Sequence, residues 1–336
     1  EHTLPGWMTN CLSGRIANVF NLRGPNFVVD SACSSGVASF LPAMYELAFG
    51  RSSMAIAGGL NRSHNTEMVI GVTTLGAVSD DVACPFDVNG HGFLMSEGGA
   101  LYLLKRLTDA RRDGDEVIAV LEGISGSSEA DSKSMLAPTV TAVRRAIRKA
   151  VEVSGVDPYG IGVADVHGSA NPMSDIAEVT AIAEELRPNG KGSPILVTAV
   201  KSHVGHLYGG SGATSTLSVV GSLASGKAPG VRNLREIQPD LAGLAARARP
   251  VQKTEALPKG TRWGIVQSLG LGGANFVMVV GKGDERPASE PPPKHRPSEQ
   301  PAAPRPSVPP AASPQDIART VASFPGLLSA EASSLG

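Results

Sequence analysis

Cys33 stands in the run Phe27-Val28-Val29-Asp30-Ser31-Ala32-Cys33-Ser34-Ser35-Gly36-Val37-Ala38. Its apolar start reads as a buried strand, its small residues as a turn, and its end as the opening of a helix. A thiol at that turn faces unpaired backbone N–H groups and the positive end of a helix dipole. Both favour the thiolate, the reactive form. Ala32, Ser34, Ser35 and Gly36 leave room for a substrate to reach the sulfur, and the cysteine's own N–H is placed to help form an oxyanion hole. Most cysteines are instead buried and inert. Cys11 and Cys84 lack the strand–turn–helix setting and read that way.

A nucleophilic cysteine needs partners, and two of the seven histidines sit where catalysis would want them. His167 follows the apolar run Val163-Ala164-Asp165-Val166. His206 closes Lys201-Ser202-His203-Val204-Gly205-His206, after the short run Ile195-Leu196-Val197. In layered α/β folds the carboxyl ends of strands converge on one edge, where sites form. A glycine beside each histidine, Gly168 and Gly205, implies close backbone approach rather than side-chain packing. His203 is the weaker candidate, and His91, in Asn89-Gly90-His91-Gly92, reads as a turn residue.

Ser268-Leu269-Gly270-Leu271-Gly272-Gly273-Ala274-Asn275 is a glycine-rich turn expected between two strands. Its spacing is not G-x-G-x-x-G and no helix follows it, so a nucleotide loop is not indicated. The better use is to present the backbone N–H groups around Gly270, Leu271 and Gly272 to a carbonyl oxygen. Gly209-Gly210-Ser211-Gly212 likewise lacks the spacing and the lysine of a phosphate loop.

These residues need a scaffold. Apolar runs at Phe27-Val28-Val29, 54–57, 117–121, 161–164 and 276–280 read as buried strands, and 34–49, 139–154, 173–186 and 210–226 as helices. Such alternation argues for a layered α/β fold over 1–282. From 283 to 314 the chain is dense in Pro, Ala, Ser and charge, as in Pro291-Pro292-Pro293, and reads as a semi-extended linker. Residues 315–336 carry Ile317, Val321, Phe324, Leu327 and Leu328, fitting the start of a further domain or a docking segment. The 336 residues hold 41% hydrophobic and 18% charged side chains with a formal net charge of -1. That balance draws the chain toward neither nucleic acid nor membrane. Three widely spaced cysteines with no C-x-x-C pair point to no zinc site, no other metal site and no disulfide framework, and to a reducing, cytoplasmic setting. No secretion signal or membrane-length apolar stretch is seen. The first residue is Glu1, not Met, and the chain reads as a piece of something longer.

Taken in order, these motifs resemble the β-ketoacyl synthases of fatty acid and polyketide synthesis, within the thiolase-like fold. Leu12-Ser13-Gly14-Arg15-Ile16-Ala17 with Leu22-Arg23-Gly24-Pro25 is similar to the run leading to that family's active-site loop. Asp30-Ser31-Ala32-Cys33-Ser34-Ser35 resembles D-T-A-C-S-S. Ala57-Gly58-Gly59, Pro85-Phe86-Asp87, Gly92-Phe93 and Glu97-Gly98 resemble the middle motifs. His167-Gly168 with Asp175 and Glu178 resembles H-G-T-G-T-x-x-G-D-x-x-E, Lys201-Ser202-x-x-Gly205-His206 resembles K-S-x-x-G-H, and the glycine-rich loop resembles G-F-G-G-x-N. The similarity covers residues 1 to about 282.

The resemblance implies a layered α-β-α-β-α fold with its first part missing, because family members carry a much longer run before the cysteine. It implies that Cys33 accepts an acyl group from an acyl carrier protein and that a malonyl-type extender, losing carbon dioxide, attacks the thioester. His167 and His206 would stabilise the charge that decarboxylation builds. Lys201 would hold the local network, and Glu178, with Asp175 less directly, would support lysine and histidine. Ser169 would retain one of the hydroxyls that meet the pantetheine arm, and Leu271 would replace a gating phenylalanine. Substrates would ride on the phosphopantetheine of the carrier protein, with no cofactor bound to the enzyme. Neighbouring synthase domains in a longer chain and a homodimer are also implied. Two other expectations compete. A degenerate module would only dimerise or dock carrier proteins. A cysteine hydrolase would share the Cys–His pair, but leaves Lys201 and the second histidine unexplained.

Overall fold

The computed structural model describes residues 8–62, 65–130 and 137–283. The expected linker beyond Gly283 and the expected terminal segment 315–336 lie outside the described residues.

Helix α1 spans Cys11–Val19, α2 Ser35–Ala38 and α3 Phe40–Ala48; strand β1 is Met54–Asn61. Helix α4 is Thr66–Thr74, β2 Gly98–Lys105, α5 Leu107–Asp113 and β3 Ala119–Ser128. Then come α6 Val140–Ser154, β4 Ile161–Asp165, α7 Pro172–Leu186, β5 Ile195–Thr198, α8 Lys201–Val204 and α9 Ser211–Ser225. The short elements β6 Lys227–Ala228, α10 Pro239–Ala242, β7 Ala248–Pro250 and β8 Glu255–Ala256 precede the strands β9 Trp263–Gly270 and β10 Ala274–Lys282.

Six strands form a mixed sheet in the order β3-β10-β9-β4-β5-β7. Strand β4 runs parallel to β5 and β9, β5 parallel to β7, and β10 antiparallel to β3 and β9. Every residue of β4 and β5 is buried, as expected of parallel strands covered on both faces. Alternation assigns each side chain to one of two cores. Ile195, Val197, Ile265, Val277 and Val279 join the core under α6 and α7. Leu196, Val266, Met278 and Val280 join the core on the opposite face, with Val37, Phe40 and Val219. Helix α9, rich in Ser, Gly, Ala and Thr, lies close between that face and the antiparallel pair β1–β2. The layers are thus α6/α7, the large sheet, α2/α3/α9, and β1–β2.

The helices have local causes. The Thr139 side chain accepts the Ala142 N–H at the start of α6, and Gly155 closes it in the left-handed region at φ 66°. Its buried residues Ala142, Val143, Ala146, Ile147 and Ala150 keep three- and four-residue spacing. Asn171 caps α7 and Pro172 fills its first turn. Buried Arg187, just past α7, donates to the carbonyls of Pro158, Ile161, Leu186 and Ser193 at 2.8–2.9 Å and ties the ends of three connections together.

Three expectations need correction. Phe27-Val28-Val29 is not a strand: Phe27 and Val28 are 52% and 41% exposed, and no described strand pairs with them. An apolar run without a ladder partner cannot satisfy its backbone as a strand. The helix expected over 34–49 is divided after Ala38. Pro42 has no N–H to give the Ala38 carbonyl, although Ser39 keeps helical angles of -62° and -25°. Strand β3 begins at Ala119, two residues later than the apolar run suggested. Helices α6, α7 and α9 and strands β1, β4, β5 and β10 fall where the sequence placed them. Among the described residues no helix is long and apolar enough to cross a membrane.

Candidate active site

Cys33 is the middle residue of a single 3-10 turn, Ala32–Ser34, that runs into α2. Ala32 before it is held at φ 52°, a left-handed angle costly for an alanine. Serines hold the turn. Ser35 Oγ accepts from Ser31 N–H at 2.9 Å and donates to the Ala32 carbonyl at 2.6 Å, and Ser34 Oγ donates to the Ser31 carbonyl at 2.8 Å. The Asp30 carboxylate accepts the Ala32 N–H at 2.9 Å.

The glycine-rich turn connects β9 and β10 as a hairpin and packs against this Cys33 turn. Ser268 Oγ donates to the Cys33 carbonyl at 3.1 Å. Gly270 is needed for closeness: a methyl group there would collide with the Ser31 carbonyl and fall 2.7 Å from Ser34 Oγ. The approach brings the Leu271 amide to the Cys33 sulfur, where the cysteine's own amide also points. Leu271 itself is 53% exposed, and Gly272 stands in open space at φ 96°. Burial pushes the Cys33 thiol up, while Lys201 and the two amides pull it down. The net direction is upward. This corrects the expectation that the helix start alone would favour the thiolate, because desolvation outweighs it.

His167 and His206 follow the carboxyl ends of β4 and β5 and face each other edge-on, with ring centroids 5.3 Å apart. Their adjoining glycines serve close approach as expected. Gly168 has φ 47° with the Ala199 side chain against it, and Gly205 has φ 75° with Ser96 against it. Each Nδ1 accepts a backbone N–H: His167 from Leu269 at 3.4 Å, His206 from Tyr208 at 2.9 Å. Ser211 Oγ adds a second bond to His206 Nδ1 at 3.0 Å. An Nδ1 that accepts leaves the proton of a neutral ring on Nε2. Burial, then Lys201, pushes both histidines well below the ordinary range, and His206 adds to the effect on His167. Both rings are therefore neutral Nε2–H donors. Phe93 packs on His206 at 4.4 Å between centroids and Tyr208 at 5.0 Å. The loop around Phe93 is pinned by the bonds from His206 N–H to the Leu94 carbonyl, 2.7 Å, and from Ser96 N–H to the His206 carbonyl, 3.0 Å.

Beneath the histidines lies a buried polar layer. Lys201 Nζ donates to the His167 carbonyl at 2.6 Å. Glu178 accepts the His167 N–H at 2.7 Å, the Gly168 N–H at 3.2 Å, the Ser174 hydroxyl at 3.2 Å and Gln267 Nε2 at 2.9 Å. Asp175 accepts the Phe86 N–H at 2.8 Å, and the Ser169 and Ala170 amides also point at it. Burial pushes Asp175 up to about 7; burial and the neighbouring Asp175 push Glu178 up to about 8. Burial also lowers Lys201, against the pull of Asp165 and Glu178. Ser169 is buried at the edge of this layer, and Asn171, in place of the second hydroxyl residue, caps α7.

The structure therefore brings Cys33, His167, His206, Lys201, Glu178, Ser169 and the Gly270–Gly272 hairpin turn into one site. His203 is exposed, bonded to the Gly230 carbonyl, and His91 lies in a loop between Ser79 Oγ and the Asn89 carbonyl. Sequence reasoning missed Asp165, Tyr208 and Gln267, and placed Phe93 only within the Gly92-Phe93 motif. Asp165, fully buried and bonded to Thr198 Oγ1 and Val200 N–H, was signalled by a lone acid inside an apolar strand. Tyr208 had no signal of its own, since it matters only through contact with His206.

Family comparison agrees with the geometry. The N-terminal domain model of the β-ketoacyl synthases matches residues 2–110 and their C-terminal domain model residues 118–235. Erythronolide synthase EryA2 of Saccharopolyspora erythraea is 32% identical over 282 residues, covering 82% of this chain and 8% of that protein. A mycocerosic acid synthase-like polyketide synthase of Mycobacterium tuberculosis is 31% identical over 316 residues, covering 93% of this chain and 15% of that one. The chain thus spans a small part of these relatives. Among solved structures, the ketosynthase from module 6 of the bacillaene synthase of Bacillus subtilis 168 superposes with a TM-score of 0.78 at 23% identity, over 83% of this chain and 51% of that one. The oxazolomycin ketosynthase domain OzmH KS7 of Streptomyces albus JA3453 gives 0.78 at 24%, over 83% and 50%. The fold is the thiolase-like one of ketosynthases, and the chain belongs to the β-ketoacyl synthase family.

Proposed function

We propose that this chain carries the catalytic groups for decarboxylative carbon–carbon bond formation. The observation that carries the proposal is the pair of neutral Nε2–H imidazoles, 5.3 Å apart, beside a cysteine whose sulfur meets two backbone amides. In the first step the Cys33 thiol attacks an acyl thioester on a carrier protein. The thioester carbonyl oxygen, negative in the tetrahedral intermediate, sits between the Cys33 and Leu271 amides. The carrier's pantetheine sulfur leaves with the thiol's proton, and the acyl group stays on Cys33.

In the second step a malonyl-type thioester loses its carboxylate as carbon dioxide. The electron pair left behind forms an enolate, whose oxygen receives hydrogen bonds from His167 and His206 Nε2. Its carbon attacks the Cys33 thioester, the sulfur leaves as thiolate and regains a proton, and a β-ketoacyl thioester departs on the carrier. Neutral donors suit this step, because a charged imidazolium would bind the extender's carboxylate before reaction as strongly as the enolate after it. Lys201 and Glu178 position the His167 backbone, from its carbonyl and its N–H respectively. Acyl carrier proteins, neighbouring synthase domains and a second copy of the chain are the proposed partners; phosphopantetheine arrives on the carrier, and no cofactor is held by the enzyme. Ser169 and the Gly272 turn are the proposed contacts for the incoming arm.

The test is acylation followed by decarboxylation. Intact-mass and peptide analysis after incubation with an acyl thioester should find the acyl group on Cys33, and the Cys33→Ala variant should take up none. Malonyl decarboxylation should fall about a hundredfold or more in a His167→Ala, His206→Ala double variant. Label elsewhere than Cys33, or undiminished decarboxylation without both rings, removes the mechanism. Hydrolysis of the thioester without condensation would point to the hydrolase instead.

A further inference from the structure

The Tyr208 side chain has no role in the steps above, yet it occupies the site. Its ring leans on His206 with centroids 5.0 Å apart and a 32° tilt, and it meets Phe93 edge-on at 6.0 Å. Its backbone is held at φ 44°, a left-handed angle that a bulky side chain adopts only when its surroundings enforce it. Its N–H is committed to His206 Nδ1. Its hydroxyl is buried and has no hydrogen-bond partner among the described residues. A buried phenol left unpaired is costly, and such groups in native proteins call for an explanation. The turn Tyr208–Gly210 packs directly against the turn Ala32–Ser34 that carries Cys33. Burial, and then the Cys33 sulfur, push the phenol up to about 12, so it stays a proton donor throughout the working range.

We propose that the Tyr208 hydroxyl is a specificity determinant that donates a hydrogen bond to an oxygen substituent near the thioester end of the acyl chain on Cys33, so that oxygenated acyl groups are accepted over saturated ones. This rests on Cys33 being the acyl acceptor. The other acceptors of the reaction already have donors: the acyl carbonyl has the Cys33 and Leu271 amides, and the enolate has the two imidazoles. The extender's carboxylate is a poor match, because a donor fixed on it would stabilise the charge that must leave and so slow decarboxylation. A hydroxyl or keto oxygen on the acyl chain has no such conflict. A site built to bond an oxygen rejects an analogue lacking it, since the donor then stays buried and unpaired.

The experiment measures acylation rates of Cys33 in the full 336-residue chain by intact mass spectrometry. The substrates are 3-hydroxybutyryl and butyryl N-acetylcysteamine thioesters, with wild-type protein and Tyr208→Phe. Wild type should favour the hydroxylated thioester by about tenfold or more. Tyr208→Phe should erase that ratio, mainly by accepting butyryl faster, with the melting temperature recording that the fold is kept. A ratio of one in wild type, or a ratio unchanged by Tyr208→Phe, overturns the assignment while leaving Cys33 acylation intact. No acylation from either thioester overturns the condensing mechanism itself and the assignment with it.

Discussion

Asp175 and Glu178 lie one turn apart on α7, both fully buried, and burial raises them to about 7 and about 8. Free carboxyls of these types titrate at 3.8 and 4.5. The native state therefore holds protons that the unfolded chain has already released. That stabilisation is fully present below the ordinary carboxylate range and is lost as pH rises through 7 to 8. Lys201, lowered by burial, works in the opposite sense, so the variant must isolate one carboxyl. Asp175→Asn keeps an oxygen for the Phe86 N–H and cannot ionise. Its melting temperature should fall less between pH 6 and pH 8.5 than that of the wild type. Parallel melting curves for the two proteins would mean that Asp175 is ionised across the range. The residues that matter most here were legible because each belongs to a short local pattern: Cys33 in its small-residue turn, His167 and His206 beside glycines at strand ends, Lys201 within the His206 loop. Gln267 was not, because its meaning is a contact across the layers, with Gln267 Nε2 on Glu178 from 89 residues away.

At the scale of elements, the site is the meeting of one helix start with one hairpin. The hairpin β9–β10 reaches the Cys33 turn only because Gly270 has no side chain to strike the Ser31 carbonyl and Ser34 Oγ. Gly272, two residues on, has open space around its Cα and needs glycine only for its φ of 96°. The two alanine substitutions should therefore separate steric closeness from backbone angle. Gly270→Ala should cost about 3 kcal/mol or more and displace the Leu271 amide from the sulfur. Gly272→Ala should cost about 1 kcal/mol. Urea unfolding midpoints check this, and equal losses would mean that the hairpin moves aside freely. Helices α6, α7 and α9 were readable from spacing, caps and closing glycines. Strand β2 was not: its run Gly98–Lys105 opens on two glycines, and its pairing with β1 is set by a partner more than thirty residues away, Met54 facing Lys105. The segment Phe27-Val28-Val29 failed for the reverse reason, since composition marks a strand but only a neighbour makes one.

The whole molecule is covered unevenly. The large sheet is shielded by α6 and α7 on one face and by α2, α3 and α9 on the other. The small sheet has α9 on its inner side, while its outer face shows Met54 at 51% exposure, Ile56 at 38%, Leu101 at 47% and Leu103 at 69%. Ile56 and Leu103 pair across the strands, so their side chains form one continuous apolar strip. Ile70 and Leu75 of the α4 region are 60% and 51% exposed as well. Apolar surface of this extent facing water binds other apolar surface, and a two-stranded sheet with both outer edges unpaired among the described residues adds open ladders. The chain should therefore enhance the fluorescence of an apolar dye and associate as its concentration rises toward about 50 μM. Leu103→Lys should weaken both effects while changing stability by no more than about 0.5 kcal/mol, because the side chain it replaces is already mostly in water. Sedimentation velocity across a concentration series decides it. If wild type sediments as a monomer throughout and leaves the dye dark, the strip is too divided by polar neighbours to act as one surface. If Leu103→Lys associates as strongly as wild type, the unpaired strand edges carry the association rather than the face.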